Sequence, residues 1–175
     1  RMLQWHWVGA GHWFVFVGFG LLFFTLVTAY GQLFDPEFAL PVIGHWWPAE
    51  VVTETITTIM LVAISTLIVI RLVNHPARLR RRSRFAGSRM WQGYYVEWTI
   101  VGVGVCIILL RGLEAALAGE TGPSLHFSFS YPVATFFDGW SRQALENGVW
   151  VVATTKIVIS MAWAIVIALN LTMGV

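Results

Sequence analysis

His12, Glu54, Arg111, Glu114 and Lys156 stand in or at the edge of stretches that are otherwise apolar. A charge placed in hydrocarbon is costly unless it is paired, so each of these positions is a candidate for function. Arg111 and Glu114 are three residues apart, which makes them neighbours on one helix face. An arginine and a lysine beside two carboxylates can neutralise an anionic group and handle protons. That is the chemistry of a quinone headgroup site, a proton path or a seat for haem propionates. The same four charges could equally form an interhelical salt-bridge network that only fixes packing. His12, in Gly11-His12-Trp13-Phe14, offers a different chemistry, an imidazole nitrogen for an iron. His6 stands six residues earlier, roughly 120° around a helix of 3.6 residues per turn, so the two cannot face one interior point. His75 falls in an arginine-rich loop, and His45 and His126 fall in acidic loops.

The elements that must position these groups are apolar helices. Of 175 residues, 57% are hydrophobic and only 11% charged, and the mean hydropathy is +0.70. A soluble domain carries about 25% charged residues, so the composition points to lipid. Crossing the hydrocarbon takes about 20 helical residues. Four stretches reach that length: Trp13–Leu33, Val51–Val73, Tyr94–Leu117 and Val149–Leu171. Each is apolar on nearly all sides, and period-two alternation is absent, which disfavours a barrel. The expected fold is all-α, one integral membrane bundle of four transmembrane helices over residues 1–175. Glu54 then lies about one turn inside the second helix, and Lys156 about two turns inside the fourth. The first residues do not read as a signal peptide. The abrupt start and the absence of a polar tail suggest a piece of a longer protein.

Charge is distributed asymmetrically. Arg71, Arg78, Arg80, Arg81, Arg82, Arg84 and Arg89 fall between the second and third spans, whereas the other two loops carry Asp35, Glu37, Glu50, Glu120, Asp138 and Glu146. The positive-inside rule puts the arginine loop and both chain ends in the cytoplasm of a multi-pass plasma-membrane protein. Tryptophans at both boundaries form the aromatic belt of a spanning chain. The arginine run reads as a membrane flank gripping anionic lipid, not as a nucleic-acid patch. Glu97, at a depth similar to His12, is placed where it could reach water. Thr53, Thr57, Ser65 and Thr66 stripe the second helix, and Gly11, Gly18, Gly102 and Gly104 permit close backbone approach. Phe127-Ser128-Phe129-Ser130-Tyr131-Pro132 is too short to span; it could re-enter over what lies beneath it or rest on headgroups. Cys106 is an apolar filler, and one cysteine cannot hold an iron–sulfur cluster.

The run Ala10-Gly11-His12-Trp13-Phe14-Val15-Phe16-Val17-Gly18-Phe19 resembles the histidine-bearing helix of nitrate-reductase gamma-subunit-like haem b membrane domains. Four further stretches resemble the membrane part of the actinobacterial iron–sulfur proteins related to heterodisulfide reductase. They are Tyr30-Gly31-Gln32-Leu33-Phe34-Asp35, Ser83-Arg84-Phe85-Ala86-Gly87-Ser88, Leu110-Arg111-Gly112-Leu113-Glu114 and Asn170-Leu171-Thr172-Met173-Gly174-Val175. That resemblance implies a membrane oxidoreductase for electron-transfer flavoprotein, passing electrons to menaquinone. It implies haem b with His12 as an axial ligand, and Arg111, Glu114, Glu54 and Lys156 as propionate or quinone groups. It also implies [4Fe-4S] clusters only in a cytoplasmic domain outside this chain. The predicted spans hold no second histidine, so the other axial ligand is expected before Arg1 or past Val175. This stretch would be part of an enzyme and not a complete one. Two rival classes share the composition, a structural membrane anchor and a transporter or channel subunit. Neither inverted repeats nor broken helices, the usual marks of a transporter, are legible in the sequence.

Overall fold

The computed structural model describes residues 6–41, 44, 46–83, 90–120, 122, 124 and 126–173. All regular structure among them is helical: α1 His6–Leu21, α2 Phe24–Gly31, α3 Trp47–Val73, α4 Pro76–Leu79, α5 Met90–Ala118, α6 Tyr131–Phe136 and α7 Arg142–Met173. A single 3-10 turn, Arg80–Arg82, follows α4. The helices α3 and α5, and residues Arg142–Leu169 of α7, are long and apolar enough to cross a membrane. The pair α1 and α2 passes the same test as a span bent by 42°.

That bend corrects the sequence reading, in which the first span is continuous and no broken helix exists. Its cause is local. Phe23 N–H turns to the Gly20 carbonyl, Thr25 N–H to Leu22 and Leu26 N–H to Phe23, so the ladder tightens to three-residue spacing. The Thr25 hydroxyl donates to the Leu22 carbonyl at 2.5 Å, a side-chain competitor of the kind that bends helices. The other three elements are longer than expected. Pro48 opens α3 in its first turn, where a missing N–H costs nothing, with Glu50 beside it at the positive end of the helix dipole. The start of α1 at His6 also places a second histidine on a helix, contrary to expectation.

The helices close into a ring. α1 packs on α3, α3 on α5, α5 on α7, and α7 back on α2, with α6 laid against α5. Half of the most apolar window of α5 is buried against 11% of that of α7, so α5 is the central helix. One core cluster, around Met60, Ile64, Val103 and Ile107, joins α1, α3 and α5. A second, around Ala29, Leu113, Val149 and Ala153, joins α2, α5 and α7. The glycines serve this packing: a Cβ on Gly18 would stand 3.3 Å from Met60, and one on Gly104 2.7 Å from Leu61. Trp7, Trp13, Trp91 and Trp150 point outward from the ring. The ring has an arginine end, carrying residues 74–83, and an acidic end, carrying 32–41, 119–120 and 126–141.

Candidate functional site at the acidic end

The bend has a consequence for the interior. Since α1 follows α3 while α2 leans toward α7, a gap opens between α2 and α3 above the α5 floor. It is a cavity of about 730 Å³, within the range of small-molecule sites, about 300–1,000 Å³. Its apolar walls include Leu22, Phe24, Phe38, Ile56, Ile107 and Leu110. Its polar lining includes Gln32, Glu50, Arg111, Glu114, His126 and Lys156. The loop over it is tied down by Arg142, which pairs with Glu146 at 2.9 Å and also with Glu37.

Arg111 is the hub. Its Nη1 donates to Glu114 Oε2 at 2.8 Å and to Glu50 Oε1 at 3.3 Å, and its Nε to Glu54 Oε1 at 3.3 Å. Nη2 donates to the His126 carbonyl at 2.5 Å, and the guanidinium lies 4.6 Å from the centre of the Phe127 ring. All three guanidinium nitrogens are therefore engaged. Glu114 Oε1 accepts from Gln32 Nε2 at 2.6 Å, and Glu50 Oε2 pairs with His126 Nδ1 at 2.5 Å. Lys156 lies apart from this cluster. Its ammonium, 2% exposed, donates to the carbonyl and hydroxyl oxygens of Thr25 at 2.6 and 2.9 Å, at the bend of the first span.

Of the residues singled out from sequence, Arg111, Glu114 and Glu54 form one network, and Lys156 shares the cavity with the first two. Glu54 is turned away from the cavity. Its Oε2 takes the amide hydrogens of Phe129 and Ser130 at 2.7 and 3.2 Å, and its Oε1 the Ser130 hydroxyl at 2.6 Å. This carboxylate anchors the segment 127–136, whose Phe127 ring lies against Arg111. Phe127, Ser130 and Ala134 are all buried. A Cβ on Gly112 would stand 2.4 Å from Val133, so α6 sits directly on the helix that bears Arg111.

His12 is not brought to this site. It is exposed on α1, with Nδ1 2.8 Å from the Val8 carbonyl. A carbonyl only accepts, so Nδ1 carries the proton and Nε2 presents its lone pair outward. Metal-bound histidines are oriented in this way, the second ring nitrogen donating to a backbone carbonyl. His12 thus leaves one ring nitrogen at the helix surface. His6 shares that helix on another face, while His75 accepts from Ala77 N–H and His126 is held by Glu50.

Near the arginine end, Arg71 Nε meets Glu97 Oε1 at 2.7 Å. Arg71 thus belongs to α3 and not to the loop, and Glu97, 5% exposed, is paired instead of open to water. His45, Arg84, Arg89 and residues 85–88 of the third resembling stretch lie outside the described residues. Glu50, Gln32, His126, Thr25 and Ser130 are the polar residues that sequence reasoning missed. Glu50 immediately precedes the second predicted span and Gln32 is the next-to-last residue of the first, and their boundary position was the available signal. No family model, curated protein or solved structure matches the chain.

Proposed function

We propose that the chain is a four-helix membrane domain that relays electrons to menaquinone. In this reading reduced electron-transfer flavoprotein feeds iron–sulfur clusters outside the chain, haem b is held at His12, and menaquinone occupies the acidic-end cavity. The charge asymmetry orients it, with the arginine end and both termini cytoplasmic and the acidic end outside, in the plasma membrane. The observation that carries the reading is the cavity itself, whose apolar walls carry Arg111, Glu114 and Lys156 together with Glu50 and His126. A quinone needs this combination: an apolar slot for ring and tail, donors for its carbonyl oxygens, and groups that supply protons as it is reduced.

The roles follow from the geometry. Lys156 is anchored through two hydrogen bonds to Thr25, and its ammonium has a third N–H to offer. Its charge favours a ring oxygen as negative charge develops there. Arg111 holds Glu50 and Glu114 in place and is itself fully engaged, so it positions and does not titrate. Glu114 is the more exposed of the carboxylates on Arg111, with 23% of its side chain open, and it faces the cavity. Haem b, when bound, would supply a one-electron carrier, and His12 Nε2 is the ligand available for it.

The test is binding. A fluorescent or radiolabelled menaquinone analogue should bind the purified protein, and Lys156→Met should weaken it by about tenfold or more, as expected for loss of a charge-assisted hydrogen bond. Unaltered binding in Lys156→Met would remove the cavity from the proposal. One observation favours a second reading. A broken span beside a buried polar cavity is a transporter feature, so uptake of a polar solute into liposomes containing the protein would support that class instead. A protein that binds neither analogue nor solute would be a structural anchor.

A further inference from the structure

We infer that His126, through its hydrogen bond to Glu50, is the group that exchanges protons between the aqueous phase at the acidic end and the cavity. The inference rests on the quinone reading above and names a residue that sequence reasoning had set aside as interfacial.

The pair bridges two environments. The His126 side chain is 43% exposed and that of Glu50 only 8%, and both line the cavity. The 2.5 Å contact joins Nδ1 to a carboxylate oxygen. With Glu50 ionised the oxygen is acceptor only, so Nδ1 carries the proton and Nε2 is left to meet water. The pair is fixed from behind by Arg111, which donates to the His126 carbonyl and to Glu50 Oε1.

The other charged groups around it do not offer this route. Arg111 does not release a proton at accessible pH. Glu54 is fully buried and outside the cavity lining, consumed by the 127–136 segment. Lys156 is 2% exposed, and among the described residues its ammonium is bonded to Thr25 alone. Glu114 faces the cavity, but its two hydrogen-bonded neighbours are Arg111 and Gln32, neither of which titrates. Glu37 and Glu120 stand on the surrounding loops, bonded to Arg142 and Ser124.

The step balances as follows. A quinone becomes a quinol by taking two electrons, delivered singly by the haem and iron–sulfur carriers of the proposed function, and two protons. Water protonates His126 Nε2, the Nδ1 proton passes to Glu50 Oε2, and Glu50 delivers it to a quinone oxygen. The imidazole, still bearing the Nε2 proton, exchanges with water to restore its starting tautomer. Two such cycles complete one quinol, and only N–H and O–H bonds form or break.

The experiment uses the full chain with its natural electron donors in nanodiscs and a soluble menaquinone analogue at saturation. Analogue binding by His126→Gln is measured alongside, so that turnover is compared at saturation. The variant's turnover should fall at least tenfold, the lower side of what a positioned acid–base group contributes, and lose its pH dependence around neutrality. Added imidazole should restore part of that rate. Glu50→Gln should show the same loss without rescue by imidazole. Unchanged turnover and an unchanged pH profile in His126→Gln, with binding retained, would overturn the inference and leave the quinone site standing. Failure of the unaltered protein to bind the analogue would instead overturn the quinone reading beneath it.

Discussion

Ser130 donates its hydroxyl to Glu54 Oε1 at 2.6 Å across 76 residues of sequence, and both side chains are completely buried. This contact, with the two amide hydrogens on Oε2, makes Glu54 the fastener of the acidic-end cover. Removing one partner from a buried charged network leaves the others uncompensated. Glu54→Ala should therefore destabilise the protein by about 3–5 kcal/mol, read as a lowered unfolding midpoint in detergent. Ser130→Ala should cost about 1 kcal/mol, the worth of one hydrogen bond. Equal effects of the two would show that Glu54 is not the fastener.

Lys156 should separate stability from binding. Its ammonium is buried and, among the described residues, its hydrogen bonds run to Thr25 alone. Replacing a buried charge by an apolar side chain of similar size is often neutral or stabilising. Lys156→Met is thus expected to keep or raise the unfolding midpoint while weakening the menaquinone analogue. A variant that unfolds early would mean that the lysine holds the bend of the first span.

Two glycines should respond oppositely to alanine. At Gly112 the new methyl would meet Val133 at 2.4 Å, whereas at Gly20 nothing lies within 4 Å. Gly112→Ala should lift α6 and cost about 1–3 kcal/mol, the usual penalty of overpacking. Gly20→Ala should be neutral or stabilising by up to about 1 kcal/mol, since it lies in the helical segment α1. Thermal unfolding of both variants side by side is the check.

Orientation is open to labelling because the lone Cys106 is buried. Gly122→Cys, in the acidic loop, should react with an impermeant maleimide applied to intact cells. Arg82→Cys, exposed on the arginine turn, should react only after the membrane is opened. The reverse pattern would invert the proposed topology.

Much of this was legible in the residues and some was not. Runs of twenty apolar residues mark α3, α5 and α7 directly, since length and composition decide whether a helix can cross. The spacing of Arg111 and Glu114 placed them on one face, and charge in an apolar run drew attention to Glu54 and Lys156. The bend was not legible, because Leu21-Leu22-Phe23-Phe24-Thr25 contains no proline or glycine. It depends on Thr25 finding the Leu22 carbonyl and Lys156 finding Thr25 from 131 residues away. His126 and Glu50 are likewise joined by the fold alone, each reading as an ordinary loop-side residue until the 127–136 segment turns inward. The position of His12, exposed and apart from the acid cluster, reflects which face of α1 meets α3. The near-uniform hydrophobicity of that helix conceals this.

The most direct measurement is an optical difference spectrum of the purified full-length protein, taken after addition of a menaquinol analogue and again after dithionite. A b-type haem band that menaquinol produces, that disappears in His12→Ala and that forms more slowly in Lys156→Met is the predicted result. It would join the histidine on α1 to the acidic-end cavity in one electron path. A well-folded protein with no such band under dithionite, or with a band that menaquinol cannot produce, would contradict the relay.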